Sequence, residues 1–280
     1  MDFRRSLVLG ATGRIGGVLR RVWGADRALW QARAAQPGPG WLVADPLSDA
    51  GIAALARAAQ GASAILCLSG VTPARAAAGA DMADNIALAQ AAIRIAAGSG
   101  ARVLLASSAA VYGNRRGLLD EQVPPAPLSD YGRAKAAMER AGARLGSDMG
   151  VSVTGLRIGN IAGLDAILGG WRPGFVLDRF ADGTTPARSY IGPVTLARVL
   201  GDLISAPALP GLLNVAAPGT VEMGALLDAA GRVWTPRPAP DTAIPEVALD
   251  VTALAPFTAL SSTDSLPETL LAECRAMELP

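Results

Sequence analysis

The chain is 280 residues long and 51% apolar, with 25 basic and 24 acidic side chains and a formal net charge of +1. That length suits one large α/β domain, or one domain with a smaller partner. Its evenly mixed charge carries no electrostatic footprint for nucleic acid or an anionic membrane, and the absence of histidine removes Ser-His-Asp and Cys-His catalysis and nearly every zinc site.

The first apolar run, Leu7–Leu9, predicts a strand. No charged-then-apolar leader opens the chain, so no signal peptide is expected. A helix is predicted at Arg14–Val22. Further strands are predicted at Ala28–Ala32, Trp41–Val43, Ala64–Leu68, Val103–Ala106 and Val151–Leu156. Helical patterns at Ala50–Gln60, Met82–Ala97 and Tyr131–Leu145 alternate with them. The strands are nearly all apolar, which suits a parallel sheet covered on both faces. The alternation predicts a Rossmann-type, doubly wound α/β sheet. Such a sheet binds ligands at the carboxyl ends of its strands, where strand order reverses.

Beyond Asn160 the pattern changes. Gly and Pro are dense from Gly163 to Pro193, with no long helix. A helix follows at Val194–Ser205, a strand at Leu212–Val215, a helix at Val221–Ala230, a strand at Glu246–Asp250 and a last helix from Pro267. The division expected is a dinucleotide-binding domain over 1–160, with 190–216 returning to it, and a small C-terminal substrate-side region over 161–280. No apolar run approaches the ~20 residues needed to cross a bilayer, and a cytoplasmic location is expected. Cys67 and Cys274 are expected to be free thiols. No metal site is expected.

Three segments carry chemistry. Gly10-Ala-Thr-Gly13-Arg-Ile-Gly16 follows the first strand and opens a helix. Backbone amides at a helix N-terminus must approach a pyrophosphate closely, and side chains there would block it. Tyr131-Gly-Arg-Ala-Lys135 places two side chains on one helical face. A free tyrosine has a pKa of about 10, and a neighbouring ammonium favours its phenolate. With three tyrosines in 280 residues, the single lysine would fall four after one of them by chance about once in a hundred. Ser107-Ser108-Ala-Ala-Val-Tyr112-Gly113 follows a predicted strand, where a serine can reach a substrate oxygen.

In this order and spacing the three segments resemble the extended short-chain dehydrogenase/reductase family, also described as NAD-dependent epimerase/dehydratase. The resemblance covers nearly the whole chain, most specifically residues 7 to 163. It implies that Tyr131 is the general acid/base, that Lys135 tunes it and binds ribose, and that Ser108 holds the substrate oxygen. It implies cofactor contacts from Gly10, Thr12, Gly13, Arg14, Ile15 and Gly16, from Asp45 on the adenine, from Leu68, Ser69 and Gly70, and from Tyr131 and Lys135. Asn85, Asn160 and Arg188 fall in segments that the resemblance places near the substrate. Relatives dimerise through the helices equivalent to Met82–Ala97 and Tyr131–Leu145, which implies a homodimer.

Two departures matter. Ala109 and Ala110 follow Ser108 where sugar dehydratases of the family carry an acidic pair, so a 4,6-dehydratase is disfavoured. The segment from Gly163 to Arg188 is shorter than in nucleotide-sugar enzymes, so a small substrate is expected, sugar-like ones included. The second strand ends Leu29-Trp-Gln-Ala-Arg33, without a carboxylate for the ribose diol. Arg33 there points to NADP in preference to NAD. Reductase and epimerase stay open, as does a non-catalytic dinucleotide-binding sensor or scaffold.

Overall fold

The computed structural model describes residues 6–280; residues 1–5, the start of the stretch read for a leader, lie outside the described residues. In the first half β1 (Ser6–Leu9), β2 (Leu29–Ala32), β3 (Trp41–Val43), β4 (Ala64–Cys67) and β5 (Arg102–Ser108) alternate with α1 (Arg14–Trp23), α2 (Asp49–Ala58), α3 (Pro73–Ala77) and α4 (Asp84–Ala97). The short β6 (Leu118–Leu119) precedes α5 (Asp130–Met149) and β7 (Val153–Ile158). Then come β8 (Asn160–Ile161), β9 (Val176–Arg179), β10 (Ala187–Arg188), β11 (Tyr190–Ile191), α6 (Pro193–Ser205) and β12 (Leu212–Val215). The chain closes with β13 (Val221–Glu222), α7 (Met223–Ala229), β14 (Thr235–Pro238), β15 (Glu246–Leu249) and α8 (Pro267–Ala276).

Seven parallel strands form the main sheet in the order β12-β7-β5-β4-β1-β2-β3. This is the Rossmann-type α/β fold. Alternate residues of each strand feed opposite faces. Val8, Leu66 and Leu104 pack with Val18 and Leu19 of α1 and Leu196 and Leu200 of α6. Leu7, Leu9, Ile65 and Val103 pack on the other side with Leu55 of α2 and Ile93 of α4. Covered on both faces, β1 and β4 are buried throughout, which is why they read as unbroken apolar runs. Strand order reverses between β1 and β4, so the ligand crevice lies where the loops after these strands meet.

Local chemistry sets the ends of α5. Ser129 caps its start by accepting from the Gly132 amide at 3.1 Å, and Asp130 favours the positive end of the helix dipole. Gly150 ends it in the left-handed region at φ 66°. A Cβ on Gly132 would stand 2.5 Å from the Ala110 carbonyl, so only glycine lets the helix start lie against the turn after β5.

The second half of the chain differs from the sequence reading in several places: the short strands β8 to β11 were not expected, and two further segments form other elements than expected. The helix expected over Val221–Ala230 begins only at Met223, because Val221 and Glu222 pair antiparallel with Arg188 and Ala187 in a second sheet, β13-β10-β15-β6. The Pro-rich stretch Thr235–Pro238, read as no element, pairs parallel with Val176–Arg179. That ribbon has only two strands, so prolines at its edge interrupt no interior ladder. A separate apolar cluster with Leu168, Leu226, Leu227 and Leu270 forms the core of this half. No helix among the described residues is long and apolar enough to cross a membrane.

Candidate active site

The loops after β1 and β4 touch at the crevice. Gly10 sits at φ +75°, and a Cβ there would stand 2.6 Å from the Ser69 backbone nitrogen. Gly16 is equally constrained, with a Cβ position 2.4 Å from the Ala11 carbonyl. Gly13 is different: its Cβ would meet only the Gly10 carbonyl, at 3.2 Å. The fold requires the outer two glycines, whereas a Cβ at the middle one would press only on the Gly10 carbonyl. No side chain caps α1, and its first turn holds no acidic residue. Ser48, Thr72 and Ser129 cap α2, α3 and α5, while α4, α7 and α8 lack a side-chain cap as α1 does. The amides of Arg14, Ile15 and Gly16 are therefore unclaimed by any side chain, which fits an anionic ligand such as a pyrophosphate.

Gln31, in β2, is a residue that the sequence reading passed over. It is 2% exposed. Its Oε1 accepts from the Gly10 amide at 2.9 Å and its Nε2 donates to the Ala44 carbonyl at 2.8 Å. A neutral amide thus ties the glycine loop to the end of β3. A buried polar side chain in an otherwise apolar strand was the available signal. Arg33, two residues on, is exposed and forms no ion pair among the described residues. Asp45 is exposed at the end of β3, its Oδ1 accepting from the Leu47 amide at 3.1 Å.

Across the crevice, β5 ends at Ser108 and α5 brings Tyr131 and Lys135 beside it. Ser108 Oγ accepts from the Ala110 amide at 3.2 Å and hydrogen-bonds the Tyr131 hydroxyl. Tyr131 is half-buried. Burial pushes its phenol above the usual value; a hydrogen bond with Ser108 and the charge of Arg14 pull it back. Lys135 is 5% exposed. Its Nζ donates to the Ala106 carbonyl at 2.8 Å and lies 5.8 Å from the centre of the Tyr131 ring. Burial lowers its pKa to about 8, against the opposing influence of Cys67 and Glu139.

A pocket of about 260 Å³ opens at this strand end, lined by Ser108, Gly159, Asn160, Arg188, Ile244 and Val247, among others. Asn160 and Arg188 thus line a pocket shared with Ser108. Arg188 is held by backbone carbonyls, Ala187 at 2.7 Å and Ile244 at 3.1 Å, and has no carboxylate partner among the described residues. Asn85 lies apart from these two. It is 0% exposed and does not line this pocket. It accepts from the Val71 amide at 3.3 Å and donates to the Val71 carbonyl at 3.2 Å. Its part is to hold the Leu68-Ser69-Gly70 loop, because a fully buried amide must satisfy its polar atoms on nearby backbone.

A second passed-over group lies beneath Ser108. Arg157 of β7 pairs with Glu139 of α5 at 2.9 Å, both buried. Glu139 also accepts from Ser107 at 2.5 Å. Arg157 donates to the Tyr112 hydroxyl at 3.0 Å, and that hydroxyl donates to Asn214 at 2.8 Å. The network locks β5, β7, β12 and α5 together one residue behind Ser108 and one helical turn beyond Lys135. A lone arginine in the apolar strand Val153–Ile158 was the signal, since a buried charge needs a partner. Tyr190 bonds Asp165 at 2.7 Å and, like Tyr112, is fully buried. Tyr131 alone of the three is accessible.

A family model described as the NAD dependent epimerase/dehydratase family matches residues 6–171. No curated protein matches the chain in sequence. Solved structures match over nearly its whole length. MoeE5 in complex with UDP-glucuronic acid and NAD is 22% identical, with a TM-score of 0.76 over 97% of this chain and 99% of that one. The UDP-N-acetylglucosamine 4-epimerase of Methanobrevibacter ruminantium M1 is 17% identical, with a TM-score of 0.77 over 99% of both chains. The dTDP-glucose 4,6-dehydratase DesIV of Streptomyces venezuelae, with NAD bound, is 20% identical, with a TM-score of 0.73 over 97% of both. At these identities the likeness is one of fold.

Proposed function

We propose that this chain, which belongs to the NAD dependent epimerase/dehydratase family, is a nicotinamide-dependent oxidoreductase or epimerase acting at a carbinol or carbonyl carbon of a small substrate. The observation that carries the reading is that Tyr131 hydrogen-bonds Ser108 at the carboxyl end of β5, with Lys135 Nζ 5.8 Å from the Tyr131 ring centre, beside a pocket that Ser108 lines. Small-molecule pockets generally span about 300–1,000 Å³. One of about 260 Å³ suits a small substrate, although the structural relatives MoeE5 and DesIV carry nucleotide ligands. Ala109 and Ala110 line it, so no carboxylate stands where a 4,6-dehydratase would need one.

The amides of Arg14, Ile15 and Gly16, the Ser69-Gly70 loop and Lys135 would hold the dinucleotide, with Asp45 near the adenine end. When bound, it supplies the hydride acceptor or donor. Ser108 donates its hydroxyl proton to the substrate oxygen and orients it. Tyr131 Oη takes the proton from a hydroxyl in the oxidative direction and returns it to a carbonyl oxygen in the reductive one. The Lys135 ammonium favours the phenolate that forms. Arg188 and Asn160 offer donors to further substrate oxygens.

The test is a panel of small alcohols and carbonyl compounds, read by reduced-nicotinamide absorbance for wild type and for Tyr131→Phe. Turnover that depends on Tyr131 supports the reading; equal turnover in both proteins removes it. Nicotinamide retained through purification marks an epimerase, and its loss marks a reductase. Gly13→Val should stay folded, with a lowered melting temperature because its Cβ presses on the Gly10 carbonyl and valine is a poor N-cap, yet lose dinucleotide binding by calorimetry because its side chain stands in the loop the pyrophosphate would approach. Wild-type affinity in that folded variant would take the pyrophosphate away from this loop.

NADP is the preferred cofactor in this reading, although MoeE5 and DesIV bind NAD. Gln31 is neutral and spent on backbone, so β2 offers no carboxylate to a ribose diol or against a 2′-phosphate. Arg33, exposed beside it, forms no ion pair among the described residues; Arg20, which lines a cleft with Ala11 and Thr12, is stacked over Trp30 and Trp41 and donates to the Pro39 carbonyl. Arg33→Ala should narrow the preference for NADP by weakening a charge-assisted contact. Dissociation constants for both cofactors decide the matter: a wild-type preference for NAD, or an unchanged ratio in the variant, excludes Arg33 as the discriminator.

A further inference from the structure

The pocket beside Ser108 has few polar groups to spare for a ligand. Its polar side chains are Ser108, Ser129, Asn160 and Arg188, and each is already engaged. Ser129 Oγ accepts from the Gly132 amide at 3.1 Å and caps α5. Asn160 hydrogen-bonds Tyr190, whose own hydroxyl donates to Asp165 at 2.7 Å. Arg188 donates to the carbonyls of Ala187 at 2.7 Å, Ile244 at 3.1 Å and Pro245 at 3.4 Å. Ser108 is bonded to the Ala110 amide and to Tyr131. Among the described residues no aspartate or glutamate lines the pocket. What Arg188 has left is N–H donors, so the walls hold few acceptors for hydroxyl groups.

The rest of the lining is apolar, with Ala109, Ala110, Leu128, Ile244 and Val247 among it. Leu128 is 55% exposed, and its place in the chain explains why. It precedes Ser129, the N-cap of α5, where a leucine commonly staples onto an apolar residue at the fourth helical position. That residue is Arg133, whose guanidinium donates to the Leu128 carbonyl at 3.0 Å and to Asp130 at 2.6 Å. The leucine side chain instead lies by Gly113, at the pocket. Backbone contacts fix the apolar residues of the second half. Val247 pairs with Arg188 in the β10–β15 ladder, and the Arg188 guanidinium holds Ile244 and Pro245 just ahead of it.

We propose that the substrate is an apolar ketone or aldehyde, or the matching alcohol, whose body rests on Leu128, Ile244 and Val247 and whose reacting oxygen meets Ser108, and that sugars are excluded. The proposal rests on the reading of Ser108 and Tyr131 as the reacting pair and names what they act on. A sugar ring carries a hydroxyl on nearly every carbon. Each would exchange water for an apolar wall without a replacement hydrogen bond. An apolar ring gains from the same wall. A pocket of about 260 Å³ has room for one six-membered ring of either kind, so chemistry and not size decides between them.

Cyclohexanone and myo-inositol make the comparison, because they share a ring size and differ in their hydroxyls. Binding is read by saturation-transfer nuclear magnetic resonance with oxidised NADP, and separately NAD, present, so that the ketone has no hydride to accept. Cyclohexanone should bind, and myo-inositol and UDP-glucose should not. Leu128→Asn should weaken cyclohexanone about tenfold, the scale of a small apolar contact in a pocket, and Leu128→Met should restore it. Leu128 is 55% exposed, so neither change should move the melting temperature far. Ile244→Asn repeats the test at a second apolar contact. Three results overturn the proposal: myo-inositol or UDP-glucose binding as tightly as cyclohexanone, no binding of cyclohexanone, or cyclohexanone binding untouched by both asparagine variants. Failure of the underlying reading looks different: cyclohexanone would bind as described, yet turnover of cyclohexanol would persist in Tyr131→Phe.

Discussion

Replacing Tyr131 by phenylalanine is expected to leave the fold and cofactor affinity intact and to lower turnover about 10²–10⁴-fold, the usual contribution of a general acid–base group. The three tyrosines make this a controlled comparison. The Tyr112 hydroxyl is buried among Asp120, Asn214 and Arg157, and that of Tyr190 is bonded to Asp165. Removing either would strand buried polar partners, at a cost of about 1–3 kcal/mol. Tyr131 stands half-exposed and meets Ser108, so its hydroxyl can be removed without orphaning a core group. Tyr112→Phe and Tyr190→Phe should thus show their effect in melting temperature, and Tyr131→Phe in kcat. A Tyr131→Phe protein with wild-type kcat, or one that melts early and loses cofactor, would end the assignment.

The sheet was legible in the sequence because each of its strands is an apolar run between turn-forming residues, and burial on both faces leaves such runs no other place. The helices read almost as well; α5 was expected to stop at Leu145 and continues to Met149 because its stop signal is Gly150. The second half was harder to read. Its strands are two to four residues long, and pairs such as Val221–Glu222 with Ala187–Arg188 are made by distant segments, so no local period announces them. The same division holds at the site. Gly10, Ser108, Tyr131 and Lys135 declared themselves by spacing. Gln31, Glu139 and Arg157 did not, because their importance lies in what they bond across the fold. Asn85 is similar: its spacing shows its place on α4 but not the hydrogen bonds its side chain makes to Val71.

Lys135→Arg should be nearly as damaging as Lys135→Ala, with a loss of about 10²-fold or more in turnover. In a chain with one lysine and 24 arginines, the ammonium is needed where a guanidinium will not fit. The site is closed: Nζ sits 2.8 Å from the Ala106 carbonyl and 3.9 Å from Met138 Sδ, and a Cβ on Gly70 would stand 3.1 Å from it. A planar guanidinium is wider and cannot take that place without moving Gly70 or the end of β5. The pH profile carries the second half of the test. Burial lowers the Lys135 pKa to about 8, so the side chain is charged below that pH and neutral above it. Activity that needs the ammonium should fall as pH rises through about 8 in wild type. Residual activity in Lys135→Arg should lack that fall, since arginine stays charged, and its profile should extend to higher pH. Cys67, the buried thiol next to it, is raised to about 11 by burial and stays neutral across this window, so it cannot imitate the limb. Wild-type turnover in Lys135→Arg, with the decline near pH 8 unchanged, would mean that the lysine is only a well-packed helix residue and that Tyr131 works without it.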